Sequence, residues 1–366
     1  MRNGYTVLIV GDEYMDPQVI ERVIRETLDQ ELLQRLSFQS IKLPYPVDYF
    51  ELNPSTKVPS GMSWSDPSDH KYVKGISEYY GPPDSLKGKI KNADILIVHG
   101  APLPGYVLKE AKKLKLICSL RGGPKNIDIR TAKSLGMRIV NTPGKNARAV
   151  AEYTLGALLS LTRNIVRGNK CFDRKIWCCG LFKWSNCGIE LKDKVIGLIG
   201  FGHIAKSFVE LLKGFSLRRI LVYDPFQPQD ILLTYQVVPA SLEEIYEQSD
   251  IISLHARLNE SSKNILNSHA FELMQRKPII INTARGGLMD YMALKRALLQ
   301  GKVSGAVLDV FGNDPFKEYE DLCSLPNVIC TPHIAGGSRE TVIRAAKMVA
   351  EEIRRFILNL PFLNEL

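Results

Sequence analysis

No stretch of this sequence is both long and apolar enough to suit a membrane. The most apolar long run, AVAEYTLGALLSLTRNIV, carries Glu152 and Arg163 and reads as a buried helix. Near the N-terminus there is no charged start followed by an apolar core and a small-residue cleavage site; YTVLIVGDEY reads as a first strand ending in a polar loop, so a cytoplasmic protein with no membrane partner is expected. Cysteine is scarce, with seven residues and no C-x-x-C pair, which argues against a secreted disulfide framework. Cys171, Cys178, Cys179 and Cys187 cluster, but in no zinc spacing, and no metal is expected. A block of Lys and Arg is also lacking. The net charge of +9 comes from 48 basic and 39 acidic side chains spread along the chain, which favours a small anionic ligand over nucleic acid. No internal repeat and no low-complexity tract occur, so a solenoid is excluded.

What is present is an ordinary globular composition, 45% hydrophobic and 24% charged, over 366 residues, about two domains' worth. From residue 195 onward, VIGLIG, RILVYD, DIISLH, PIIIN, GAVLDV and NVICT are strand candidates, with helical patterns such as IAKSFVELLKGF, SLEEIYEQS and YMALKRALLQG between some of them. A similar alternation precedes it: TVLIV, a helical pattern from about Pro17 to Leu36, ADILIVHG, LKLICS and RIVNT, with further helices between. The expected fold class is therefore α/β, with two doubly wound parallel-sheet domains. Residues 43–83, rich in Pro and Tyr, read as an irregular excursion of the first domain, and NTPGKN as the crossing point into the second.

One short run makes the second domain specific. In GLIGFGHIAKSF, Gly200, Gly202 and Ala205 follow a strand and open a helix, and Asp224 ends the next strand in LVYDPF. Gly200 permits the tight turn, Gly202 lets backbone approach a pyrophosphate, and Ala205 lets the helix pack on the strand. The helix N-terminus offers N–H groups and a positive dipole end to phosphates. Asp224 would accept bonds from the ribose hydroxyls and repel an added phosphate, so NAD is the expected cofactor, in preference to NADP.

A nicotinamide enzyme acting on a carbonyl needs a proton donor and a cation for its substrate. Of the six histidines, His70, His99, His203, His255, His269 and His333, the last stands out: CTPHIAGG follows a strand of the cofactor domain, where ligands sit beyond the strand ends. Arg285 in NTARGG and the acidic residues of LDVFGNDP also lie just past strands. With these motifs in this order, from about Ile95 to Pro361, the chain resembles the D-isomer-specific 2-hydroxyacid dehydrogenases, in particular their D-3-phosphoglycerate dehydrogenase-like branch.

The resemblance implies a catalytic trio of Arg285, Asp314 and His333. The Arg would hold the substrate carboxylate and polarise the keto oxygen; the His would pass a proton to or from that oxygen while hydride moves at C2; the acid would favour the protonated imidazole and fix its tautomer. The family more often has Glu at the position of Asp314. Cofactor contacts carried over in the same way are Gly200, Gly202, His203, Ile204, Asp224, Ala256, Thr283, Ala284 and Asp309, with the run from His333 to Gly336 near the nicotinamide. His203 stands where an Arg is frequent. Asp309 resembles the acid facing the nicotinamide, with a strand-end cap as its other reading, and Asp290 reads as a helix N-cap. Arg257 is read as a solvated side chain or a second anion contact.

The resemblance also implies substrate contacts on two loops of the first domain, matched here by His99, Gly100 and Ala101 in VHGAP and by Arg121, Gly122 and Gly123 in LRGGP, whose backbone N–H groups can face a carboxylate. Arg121 is read as attracting an anionic tail or as pairing with an internal acid. The resemblance implies a Rossmann-type NAD domain over 146–333 and a flavodoxin-like substrate domain over 1–145, completed by 334–366, with a cleft between them. It also implies a homodimer built on residues 147–184, a small anionic 2-hydroxy or 2-oxo acid as substrate, and no serine feedback through a C-terminal regulatory domain. An NAD(H)-sensing corepressor-like binding protein on the same fold is the alternative; formate dehydrogenase, which pairs its His with Gln, is disfavoured by Asp314.

Overall fold

The structure, a computed structural model, describes residues 4–43, 73–79, 81–312 and 318–366. The chain divides into two compact units, Met1–Lys145 with Ser338–Leu366, and Asn146–Gly337.

The first unit holds a five-stranded sheet in the order β2-β1-β3-β4-β5, from β1 (Tyr5–Gly11), β2 (Leu36–Lys42), β3 (Ile95–Val98), β4 (Leu116–Ser119) and β5 (Arg138–Val140). Every pair is parallel, and the order is the flavodoxin-like one. β3 and β4 are buried along their whole length, as strands covered on both faces must be. One face is covered partly by the chain's last helix, Arg339–Ile357, whose Val342, Ala345, Ala346, Val349 and Ile353 join Val7, Ile9, Ile20 and Ile24 in one core. Ser338 starts that helix by accepting the Thr341 N–H.

The second unit holds seven parallel strands, β6 (Val195–Ile199), β7 (Arg219–Tyr223), β8 (Val238–Pro239), β9 (Ile251–Leu254), β10 (Ile279–Asn282), β11 (Gly305–Leu308) and β12 (Val328–Cys330), in the order β12-β11-β10-β9-β6-β7-β8. This is the doubly wound dinucleotide order with one strand added, and its direction reverses between β6 and β9. The long apolar run forms the helix Ala147–Thr162, with Ala151 and Leu158 buried in the core beneath β6.

Two expectations need correction. The helical pattern predicted from Pro17 to Leu36 breaks into Pro17–Thr27 and Gln30–Leu33, and Leu36 instead starts β2, a strand absent from the sequence reading. β2 lies at the sheet edge and is largely exposed, so LSFQSIK lacks the apolar run that marks a buried strand. β8, two exposed residues at the other sheet's edge, was also absent. Of the clustered cysteines, Cys171 and Cys178 form a disulfide, while Cys179 and Cys187 are free and exposed. No described helix is long and apolar enough to cross a membrane. The excursion predicted over 43–83 lies mostly outside the described residues.

Candidate active site

The glycine turn sits at the reversal point of the second sheet. Gly200 has φ +94°, and a Cβ there would lie 2.5 Å from the Ala256 nitrogen, so only glycine fits between the loops that follow β6 and β9. Around Gly202 a Cβ would meet nothing within 4 Å, which leaves room for a ligand against the backbone. Gly202 begins the helix His203–Leu212, and among the described residues no side chain caps it. Six other helices are capped by Asp16, Asp128, Ser241, Asn267, Asp290 and Ser338. The first-turn N–H groups at His203, Ile204 and Ala205 are thus left for an anion. Asp224 accepts the Phe201 N–H (2.7 Å) on one oxygen and the Phe226 N–H (2.9 Å) on the other, bracing the turn while keeping lone pairs for hydroxyl donors. These residues fit a dinucleotide.

Three neighbouring strands, β10, β11 and β12, end in the segments that carry Arg285, Asp314 and His333. After β10, the buried Asn282 donates to the Arg285 carbonyl (3.0 Å) and accepts the Ala284 N–H (3.1 Å), which fixes the turn. Arg285 itself is exposed; its guanidinium donates to the Ala284 carbonyl (2.7 Å) and retains further donors. Thr283 is buried and shares a hydroxyl contact with Thr154 (3.2 Å), beside buried Ala284. A Cβ at Gly286 would strike the Phe311 backbone at 2.1 Å, so the Arg285 turn and the segment after β11 pack backbone to backbone. Asp314 lies in that segment but outside the described residues.

His333 follows β12 in left-handed backbone, φ 58°, and its side chain is exposed. The loop is held from beneath by Asp309, which is fully buried. One Asp309 oxygen accepts the Thr331 hydroxyl (2.6 Å) and the Ile334 N–H (2.9 Å); the other accepts the Ala335 N–H (2.9 Å). The Tyr153 hydroxyl also bonds that of Thr331. Asp309, read from the sequence as a nicotinamide-facing acid or a strand-end cap, therefore spends both oxygens on the loop that presents His333. Gly336 leaves no space for a Cβ, which would sit 2.7 Å from the Asn146 side chain. Among the other histidines, His255 is half-buried beside Ser253, and desolvation pushes its imidazole down to about 4, so it stays neutral at ordinary pH. His203 and His269 are exposed, and His70 lies outside the described residues.

The first unit's two loops are tied together by Asn126, a buried residue whose amide donates to the carbonyls of His99 (3.0 Å) and Ala101 (2.7 Å). His99 is buried and bonds Asp12 through Nδ1 (2.6 Å); desolvation lowers its proton affinity against the opposing pull of Asp12. Arg121 donates to the carbonyl and the carboxylate of Glu78, the latter at 3.0 Å. The N–H groups of Gly100, Ala101, Gly122 and Gly123 donate to no group among the described residues, although Gly100 and Ala101 are buried. Asp12, Asn126, Asn282, Tyr153 and Thr331 are positioning residues the sequence reading missed. The available signal for Asn282 was a polar residue closing the apolar strand IIIN.

Comparison with known proteins agrees with this architecture. Residues 155–335 match the family model of the D-isomer specific 2-hydroxyacid dehydrogenase NAD binding domain. The chain is 37% identical over 276 residues to D-3-phosphoglycerate dehydrogenase of Methanocaldococcus jannaschii, which covers 75% of this chain but only 52% of that protein, so the chain spans about half of that relative's length. It is 36% identical over 274 residues to hydroxypyruvate reductase of Thermotoga maritima, with 74% of this chain and 87% of that protein covered. To glyoxylate reductase of Korarchaeum cryptofilum it is 32% identical over 269 residues, 73% and 81% covered. The apo structure of D-lactate dehydrogenase from Escherichia coli shares the fold at TM-score 0.71 and 23% identity, over 98% of this chain and 99% of that one. These relatives are enzymes by name, and the corepressor alternative finds no support among them. The chain belongs to the D-isomer-specific 2-hydroxyacid dehydrogenases, NAD-dependent oxidoreductases that act on the CH–OH group of their donors.

Proposed function

We propose that the protein interconverts a small D-2-hydroxy acid and its 2-oxo acid, with Arg285, Asp314 and His333 as its catalytic residues. The observation that carries this reading is the buried Asp309 carboxylate, which holds the loop so that an exposed histidine stands beyond the strand ends of the cofactor sheet. NAD supplies the two-electron chemistry when bound. The Arg285 fork grips the substrate carboxylate and polarises the keto oxygen. His333 holds a proton at that oxygen in reduction and takes one from the hydroxyl in oxidation, and Asp314 favours the charged imidazole. The unused N–H groups at Gly100, Ala101, Gly122 and Gly123 support a carboxylate contact in the first unit, with His99 and Arg121 beside them.

The relatives' names share a 2-oxo or 2-hydroxy acid of two or three carbons, so glyoxylate, hydroxypyruvate and phosphohydroxypyruvate lead the proposed substrates. A homodimer is proposed on the segment after the helix Ala147–Thr162, where Phe172, Trp177, Phe182 and Trp184 are largely exposed, as apolar side chains at an interface are in a lone chain. The test is NADH oxidation by the purified protein against glyoxylate, hydroxypyruvate, phosphohydroxypyruvate and pyruvate. Turnover of at least one is expected, giving the D product wherever C2 becomes a stereocentre. NADH binding with no turnover on any would refute the proposal.

A further inference from the structure

In the first unit the loop after β5 ends on Lys145, whose side chain is buried, with 8% of the residue exposed. Its ammonium makes no hydrogen bond or ion pair among the described residues. The charged groups around it are already committed. Asp12 gives one oxygen to His99 and the other to the N–H groups of Tyr14 and Met15. Glu78 pairs with Arg121 and Lys125. Arg344, from the C-terminal helix, donates to the Lys145 carbonyl (2.7 Å) and so fixes the backbone there. Burial first, then the nearby Arg121, pushes the amine down to about 7, with Asp12 opposing. A buried ammonium without its own counter-charge is costly and calls for an anion.

The surroundings of Lys145 offer a place for one. Thr142 donates its N–H to the Arg121 carbonyl (3.2 Å) and its hydroxyl to Ser119 (3.3 Å), and Asn141 donates to the Gly122 carbonyl (2.9 Å). The loop that carries Lys145 is thus stitched to the LRGGP loop, whose Gly122 and Gly123 N–H groups are unused and where a Cβ on Gly123 would meet nothing within 4 Å.

We infer that Lys145 determines substrate specificity: its ammonium receives the distal anionic group, carboxylate or phosphate, of a dianionic 2-oxo acid. The inference rests on the proposed 2-oxo acid reading. A buried amine with no partner in the fold keeps its charge when the ligand brings a negative group to it. Because the bound anion favours the charged amine, binding near neutral pH takes up a proton.

The experiment compares initial rates for matched pairs, hydroxypyruvate with phosphohydroxypyruvate and pyruvate with oxaloacetate, in the wild type, Lys145→Met and Lys145→Arg. Expected is a wild-type preference for the dianionic member of at least one pair, with the pair naming phosphate or carboxylate. Lys145→Met should raise KM for that member about 10- to 100-fold, with a much smaller change for the monoanion, and Lys145→Arg should restore part of the loss. The wild-type KM for the dianion should also climb with pH above neutrality, and Lys145→Met should abolish the climb. Equal losses on both members of each pair, or a wild type without dianion preference, would overturn the inference. If no 2-oxo acid turns over at all, the reaction reading fails, and calorimetric binding of oxaloacetate and phosphohydroxypyruvate in two buffers of different ionisation heat still decides. Proton uptake lost in Lys145→Met upholds the anion site, and absence of binding or of uptake removes it.

Discussion

Asp309 shows how a buried carboxylate can fix the loop that carries a candidate catalytic residue. The three hydrogen bonds its carboxylate accepts come from Thr331, Ile334 and Ala335, residues that flank His333. Asp309→Asn keeps the shape but turns an amide against one of those donors, at a cost of about 1–3 kcal/mol. We expect a lower melting temperature and a kcat reduced well beyond any change in NADH affinity, read by thermal melts, initial rates and NADH fluorescence titration. Lys145 makes the opposite case, a group that stability would do without. Its amine is pushed down to about 7 in the fold from an ordinary 10.5, so between those values the unfolded chain binds the extra proton and stability rises with pH; below the window the penalty is complete. Lys145→Met should therefore stabilise the protein at pH 6, on the order of a few kcal/mol, with a gain that shrinks toward pH 10. Denaturant melts across that range check the trend. Gly200, Asp224, Arg285 and His333 were visible in the sequence because strand ends in a doubly wound sheet are predictable places. Lys145 and Asp309's bonding were not, because burial of a single polar side chain depends on which distant loops close over it.

At the scale of elements, the two glycines of the cofactor turn make a separable pair. Gly200→Ala meets both a φ of +94° and the Ala256 backbone at 2.5 Å, so it should unfold the turn and lower stability along with NADH affinity. Gly202→Ala meets no protein atom, so it should leave the melting temperature nearly unchanged while weakening NADH, because its methyl occupies space kept for the ligand. Equal destabilisation by both, measured by melts with and without NADH, would contradict this division. The central strands of both sheets were legible as short β-branched runs, since strands buried on both faces carry little polar residue. β2 was not, because an edge strand needs no such run, and its exposed Ser37, Gln39 and Ser40 do not distinguish it from a loop.

At the scale of the whole molecule, the chain leaves its first unit at Lys145 and returns to it at Ser338, so the last helix completes a core begun by β1. The segment between is a self-contained parallel sheet with its glycine turn at the reversal of strand order and with Arg285 and His333 just past the ends of β10 and β12. That organisation was legible because alternation of strand and helix specifies a parallel sheet, and the handedness of its crossovers leaves few arrangements. The loop braced by Asp309 presents His333, the residue we propose carries the proton. The most direct measurement of that role is His333→Asn, assayed on whichever 2-oxo acid the wild type reduces, beside an NADH titration of the same sample. We predict kcat lower by about 10²–10⁴-fold with NADH affinity within a few-fold of the wild type. Turnover retained within tenfold, in a variant that folds and binds NADH, would contradict it.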